Sequence, residues 1–398
     1  MAQTHAFCTL CESKSVRAGL AFWGQPLSNR FIDQAQNDIP PVDIQLGLCV
    51  SCGVIQLATL PNIDDVRPIY NWLTYNEPEG HLDNVVEHLM PLLSQDANII
   101  GATYKDETTL RRLSEKGFSK TEVIDYKQLK MPYGLETIQY ALSDKVEALY
   151  ADMPEKSADL LIARHIIEHA HRAKVMLSNL SSLVKDGGLL VLEFPESSAL
   201  LNKKNYPFLW EEHISYFTED DCQTLADAIN AELIGQYRYP YAYEDSMVIV
   251  LRINHTPNKG EKAVQSANVS KKSCLLNEFE QSFNTEKQRW QDRLAAVNAQ
   301  GKKVTVFGAG HLSIKFINFF ELGEYIDCVV DDNTNKVGSY MPGSHVPIVA
   351  SESVSADSHP YCISTLSPES KKRVLQLNDY LKSGVELIDA FNSRDDVL

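Results

Sequence analysis

Residues 158–196, ADLLIARHIIEHAHRAKVMLSNLSSLVKDGGLLVLEFPE, decide the fold. ADLLIAR is an apolar run of strand length, VMLSNLSSLVKDGG reads as a helix ending in two glycines, and LLVLEFPE is a second apolar run. Strand, helix and strand in that order make a crossover unit whose two strands are parallel and buried on both faces. The same rhythm extends upstream. Leu82, Val85, Val86, Leu89, Leu92 and Leu93 recur at helical spacing, ANIIGA reads as a strand, TLRRLSEKG as a helix closed by Gly117, and TEVIDY as the next strand. The pattern predicts an α/β domain with a mostly parallel sheet over residues 81–254, its ligands lying beyond the carboxyl ends of the strands.

Those ends carry the residues with chemistry. After the first strand come Gly101, Thr103, Lys105 and Asp106, at the start of a helix whose N–H groups suit a phosphate or carboxylate. Asp125, past the second strand, stands where an acid holds the two hydroxyls of a ribose. Arg164, His165, Glu168 and His169 follow the fourth. The spacing of the two histidines places both on one helix face, as in a metal pair, but no third ligand is identifiable; packing is the preferred role for His165, and Glu168 reads equally as a cap or an ion-pair residue. Past the fifth strand lies YPFLWEEHISYFT, residues 206–218, with Trp210, Glu212, His213 and Tyr216. His213 reads either as a base or as an ion-paired histidine in an acidic loop. YNWLTYNEPEGH brings Tyr70, Tyr75, Asn76 and Glu77 into a polar, aromatic loop that either lines a substrate side or simply packs.

Cys8 and Cys11 form one C-x-x-C pair, and Cys49 and Cys52 a second. Each pair lets one tight turn aim two thiolates at a single ion, and two pairs close a tetrahedral, structural zinc site. A redox C-x-x-C is the alternative, but it calls for one pair beside a βαβ unit rather than two matched ones. Cys222, Cys274, Cys328 and Cys362 have no partner spacing and read as small buried hydrophobes. The formal net charge of −16 argues against broad binding to nucleic acid or anionic membrane. No stretch reads as a signal peptide or a membrane span, so the expected location is the cytoplasm.

The segment HTPNKGEKAVQSANVSKK reads as a polar linker, and Leu276, Phe279, Phe283, Trp290, Leu294 and Val297 mark an amphipathic helix that packs on a core or on another subunit. KKVTVFGAGHLSIKFINFF is then strand, glycine turn and helix, and IDCVVDDN a second strand ending in Asp331 and Asp332. Gly308 and Gly310 belong to a broken G-x-G-x-x-G whose context, with Asp331 downstream, suits a nucleotide. Descent of this domain without binding is the other reading. The expected segments are a zinc-binding module over 1–80, an α/β domain over 81–254, a linker and helix over 255–300, and a Rossmann-like domain over 301–398.

WGQPLSNRF, LCVSCGVIQL, ARHIIEHAHRAKVMLSNLSSLVKDGGLLVLEFPE, LWEEHISYF and GSYMPGSHVPI together resemble the bacterial sugar C-methyltransferase family over nearly the whole chain. The resemblance implies a zinc-binding module, a class I methyltransferase domain of Rossmann-like type that binds S-adenosylmethionine (SAM), and a C-terminal domain helping to hold a nucleotide-linked 4-keto sugar. It implies that His213 removes the proton beside the ketone with Glu212 as its neighbouring acid, that His169 is another polar active-site residue, and that the enolate attacks the SAM methyl. Tyr75 joins these as a catalytic candidate. Gly101, Thr103, Lys105, Asp125 and Arg164 are the candidates for the cofactor, and Trp210, Tyr216, Gly308, Gly310 and Asp331 for the substrate. Two positions depart from the family pattern. Trp210 stands where the family has a tyrosine, and the turn Gly101-Ala-Thr-Tyr-Lys-Asp106 keeps one glycine of the form E-x-G-x-x-x-G. An epimerase, isomerase or lyase that needs only the enolate, and a noncatalytic nucleotide-sugar binding protein, are the alternatives.

Overall fold

The computed structural model describes residues 7–32, 40–70, 72, 77–127, 134–145, 158–256 and 266–391. The chain divides into two compact units that cut across its sequential segments. The first gathers Met1–Leu20, Gln45–Ala199 and Glu212–Cys274; the second gathers Ala21–Ile44, Leu200–Glu211 and Leu275–Leu398. The cysteine pairs therefore fold in the same unit as the large sheet.

That sheet has six strands in the order β5 (Lys120–Val123), β4 (Asn98–Gly101), β6 (Ala158–Arg164), β7 (Val184–Glu196), β10 (Asp245–Arg252) and β9 (Glu232–Tyr239). Pairing is parallel from β5 to β7 and antiparallel from β7 to β9. Alternation along the strands explains its two cores. Ile100, Leu161, Leu190 and Ile249 face one side, where helix α4 (Ala173–Leu183) lays Met176, Leu177 and Leu180 on them. Ile99, Leu160, Val191 and Val248 face the other, covered by Val85, Val86 and Leu89 of α1 (Leu82–Leu89) and by Leu110 and Leu113 of α2 (Glu107–Glu115). Each leucine so buried contributes about 2 kcal/mol of transfer free energy. The helix expected through Gly188 stops at Leu183; Val184 already belongs to β7, and Gly187, at φ +78°, turns the chain within it.

A smaller sheet runs β1 (Val16–Gln25), β2 (Val42–Cys49), β3 (Ile55–Leu57) and β8 (Ser215–Tyr216). Through the antiparallel pairing of β3 with β8, Tyr216 lies opposite Ile55 beside the cysteine turns of its own unit.

The second unit is built on five parallel strands, β13 (Ile348–Val349), β12 (Cys328–Val330), β11 (Val304–Phe307), β14 (Tyr361–Ser364) and β15 (Glu386–Asp389). The long helix α5 (Ser266–Ala299) buries Phe279, Trp290, Leu294 and Val297, as its apolar spacing predicts. Phe279 meets Tyr206 at 4.3 Å, and Trp290 meets Phe316 of α6 (His311–Phe319) at 4.9 Å, so this face serves the core of its own unit. Cys222, Cys328 and Cys362 are buried as expected, whereas Cys274 is exposed because its place on α5 falls outside the apolar stripe. Among the described residues no helix is long and apolar enough to cross a membrane.

Candidate active site

In the first unit the carboxyl ends of β4, β6 and β7 gather a buried charged network around Glu193. This carboxylate, 1 % exposed, accepts from Arg164 and from the hydroxyl of Ser246 (2.8 Å), and lies 3.0 Å from a ring nitrogen of both His165 and His81. The surrounding donors hold Glu193 well below the usual carboxylate range against the opposing effect of burial. His165 adopts φ +47°, rare for a residue with a side chain, and this turn aims its ring back at Glu193 with Glu168 at 3.4 Å and Glu77 at 4.0 Å. Burial pulls the pKa of His165 down, but Glu77, Glu193 and Glu168 outweigh it and raise it to about 10. His165 and His169 do not share a helix face. The chain makes only a 3-10 turn at Ile167–His169, with His165 outside it, and the two rings point to different carboxylates.

The turn after β4 is capped from within. Asp106 Oδ2 accepts the Thr103 N–H at 2.7 Å, Asp106 Oδ1 the Arg164 N–H at 2.9 Å, and Thr103 Oγ1 the Lys105 N–H at 3.0 Å. Lys105 Nζ meets Glu77 at 2.5 Å, and the Arg164 guanidinium donates to the Lys105 carbonyl at 2.6 Å. Burial pushes the Asp106 carboxyl up to about 7, although the N–H groups of Thr103 and Arg164 and the Arg164 charge draw it down. A Cβ on Gly101 would lie 2.9 Å from that of Asp106 and 3.0 Å from Leu110, so this glycine makes room for the chain's own turn. The expected reception of a phosphate or carboxylate by Thr103 and Lys105 is thus pre-empted: the groups that would serve it already serve one another. Asp125, exposed past β5, has one carboxylate oxygen on the Lys127 N–H and suits a ribose. The adenosine end of SAM keeps a matching acid, while the residues of the glycine-poor turn do not fit its methionine end in the pose that a glycine turn provides.

Beside this network lies a second cluster. The rings of His169 and His213 meet edge to face at 4.9 Å and 81°, and donor atoms of Glu168, His169 and His213 all lie within 4.8 Å of one another. His169 Nδ1 is 3.3 Å from Oε1 of Glu136, in the first turn of α3 (Leu135–Asp144), and Glu136, His169 and Glu212 form a second set at the same spacing. The Glu168 carbonyl accepts the Ile214 N–H at 2.7 Å and fastens the His213 loop to the turn. His213 is half-buried and the acids behind it are buried. Tyr216 lies 6.4 Å from the His213 ring. Tyr75 and Asn76 lie outside the described residues. No motif in the sequence marks Glu136, His81, Glu193 or Glu244. Glu244 is pushed up to about 8 by burial and by Glu77 and Glu168.

The cysteine sulfurs converge, all four within 4.8 Å, with Cys8 to Cys52 at 3.4 Å and Cys11 to Cys49 at 3.6 Å. Ligands about 2.3 Å from a tetrahedral zinc are about 3.8 Å apart, so the set matches a closed site after small outward relaxation. Gly53, at φ +80°, lets its N–H reach the Cys49 carbonyl at 2.8 Å and forms the second turn.

In the second unit Trp210 is stacked on His311 at 4.4 Å, at the start of α6, and is buried. Gly308, at φ +99°, brings the turn against Leu366, while nothing lies within 4 Å of a Cβ on Gly310. Asp331 does not present its carboxylate to a ribose. It accepts the Ala309 N–H at 2.8 Å and the Asn333 N–H at 2.9 Å, and pairs with Lys336 at 3.0 Å, while Lys336 also donates to the Ala309 carbonyl at 2.7 Å.

Residues 79–236 match the family model described as a methyltransferase domain, and residues 258–391 the one described as the C-methyltransferase C-terminal domain. The C-methyltransferase NovU of Streptomyces niveus is 23 % identical over 368 residues, covering 87 % of this chain and 86 % of that protein. The 1,6-didemethyltoxoflavin-N1-methyltransferase of Burkholderia thailandensis is similar over 44 % of this chain and 79 % of its own, with 16 % identity and a TM-score of 0.33. A SAM-dependent methyltransferase from Archaeoglobus fulgidus is similar over 43 % and 94 %, with 11 % identity and a TM-score of 0.31. The two matches fall one on each α/β part, a methyltransferase domain followed by a C-methyltransferase C-terminal domain, in line with the similarity to NovU along most of the chain.

Proposed function

We propose that the protein acts on a nucleotide-linked keto sugar and that His213 removes the proton from the carbon beside its carbonyl. The observation that carries this reading is the edge-to-face pair of His213 and His169 with Glu136 behind it. A half-buried imidazole can meet a substrate, and a buried histidine and carboxylate behind it orient the ring and stabilise the imidazolium formed when it takes a proton. Glu212, grouped with His169 and Glu136, adds negative charge to the same end. The sugar and its nucleotide are supported by the resemblance to sugar C-methyltransferases. The four cysteines are assigned to a structural zinc, since a closed thiolate set leaves no coordination position for substrate.

Solvent exchange tests the base. In deuterium oxide, a nucleotide-linked 4-keto-6-deoxyhexose incubated with the full chain gains one deuterium beside the carbonyl. His213→Ala slows that exchange by about 100-fold or more while leaving the melting temperature close to that of the parent. Exchange that persists in a folded His213→Ala protein removes His213 as the base.

A further inference from the structure

We infer that the turn after β4 does not receive the methionine half of SAM, and that the enolate formed at His213 is reprotonated, making the reaction an isomerisation or epimerisation of the keto sugar. The inference rests on the reading of His213 above and extends it to the fate of the enolate.

Three observations converge on the carboxyl ends of β4 and β6. The backbone N–H groups of Thr103 and Lys105, which a cofactor would approach, are taken by the side chains of Asp106 and Thr103. Lys105 and Asp106 stand in a turn where the fold relies on bare glycines, and Asp106 fills the space against Gly101. Finally, Arg164 ties the turn to β7 by donating both to the Lys105 carbonyl and to Glu193. A methionine carboxylate would have to displace Asp106 or Glu193 from its partners, and a sulfonium would enter beside the cations of Lys105 and Arg164. Every partner so displaced is left buried without a counter-charge.

Without a methyl donor the chemistry still closes. The C–H bond beside the carbonyl breaks, its proton goes to a His213 nitrogen, and the electron pair delocalises onto the carbonyl oxygen. Return of a proton to carbon from either face, or to the neighbouring carbon by way of the enediol when that carbon bears a hydroxyl, re-forms a C–H bond. No oxidant, reductant or second substrate is consumed.

Two measurements on the full chain decide the matter. The first is calorimetric titration with S-adenosylhomocysteine to about 1 mM, a range that detects even weak binding. The expected result is no saturable heat and no rise in melting temperature, and saturable binding in the micromolar range overturns the inference. The second follows the keto sugar by mass spectrometry in deuterium oxide, with and without SAM. Gain of deuterium alone, the same in both, is expected, whereas SAM-dependent gain of a methyl group overturns the inference but leaves the base intact. Absence of both deuterium and methyl overturns the base and the isomerase together, and the titration then still decides the cofactor by itself.

Discussion

Replacing Glu193 by glutamine tests the charged network that closes the turn. The residue is buried at the end of β7, in register with Arg164 of β6 and Val248 of β10, so its carboxylate is fixed by two ladders. Glutamine keeps the shape but presents an amide N–H₂ to donors and leaves Arg164 and His165 without their shared anion. Removing one partner of a buried pair costs about 3–5 kcal/mol. At about 2–4 °C per kcal/mol for a unit of this size, the melting temperature of the first unit falls by about 6–20 °C. Stability against pH gives a second reading. His165 titrates near 10 in the folded chain and near 6.5 unfolded, so the native state binds more protons between those values, and stability that is complete below 6.5 is lost as pH approaches 10. At 1.36 kcal/mol per pH unit the loss is at most about 5 kcal/mol, and it shrinks in Glu193→Gln, where one anion that raises the pKa is gone. Guanidinium unfolding followed by fluorescence from pH 6 to 10 measures both. A change below about 1 kcal/mol, with an unaltered pH slope, refutes the account of Glu193 as the centre of the network.

Other consequences are as specific. The purified chain holds one equivalent of zinc by elemental analysis, and Cys49→Ser loses most of it together with a cooperative transition of the first unit; full retention of the metal rejects the four-cysteine site. Lys272, buried in α5 against Asp221 at 2.5 Å, costs about 3–5 kcal/mol in chemical unfolding when changed alone to Met; a loss below about 1 kcal/mol rejects the buried pair. Gly308→Ala destabilises the second unit by more than about 1 kcal/mol, because alanine meets both the positive φ and Leu366 at 2.9 Å; an unchanged melting curve contradicts that geometry.

The strands and their order of chemistry were legible because each buried strand is an apolar run and each ligand-side residue directly follows one. The cysteine pairs were legible because their spacing is itself a geometry. Lone charges inside apolar runs were the overlooked signal. Glu193 in LLVLEFPE and Lys315 in LSIKFINFF sit where burial forbids an uncompensated charge, so each demands a partner: His165, His81 and Arg164 for the first, Glu211 at 2.7 Å for the second. The sequence shows the demand but not which distant residue meets it. Glu136 carries no such flag, since an acid in the first turn of a helix is ordinary, and only tertiary folding brings it to His169. The gathering of residues 21–44 and 200–211 with the C-terminal unit is likewise a matter of long-range contacts, which local periodicity does not encode.

The turns after β4 and β11 share a device that a motif search passes over. In each unit an aspartate accepts the N–H that the turn would offer a ligand, Asp106 from Thr103 at 2.7 Å and Asp331 from Ala309 at 2.8 Å. In each a cation then binds a carbonyl of the turn, Arg164 that of Lys105 and Lys336 that of Ala309. A helix start is attractive to an anion because its first N–H groups lack partners. Once a side chain supplies the acceptor, the attraction is spent inside the protein, and an incoming carboxylate or phosphate must compete with a group held at far higher effective concentration. Glycine spacing alone therefore overstates the capacity of the Gly308–Gly310 turn to bind a ligand. What separates an open turn from a closed one is the acid that takes its N–H and the cation that answers its carbonyl.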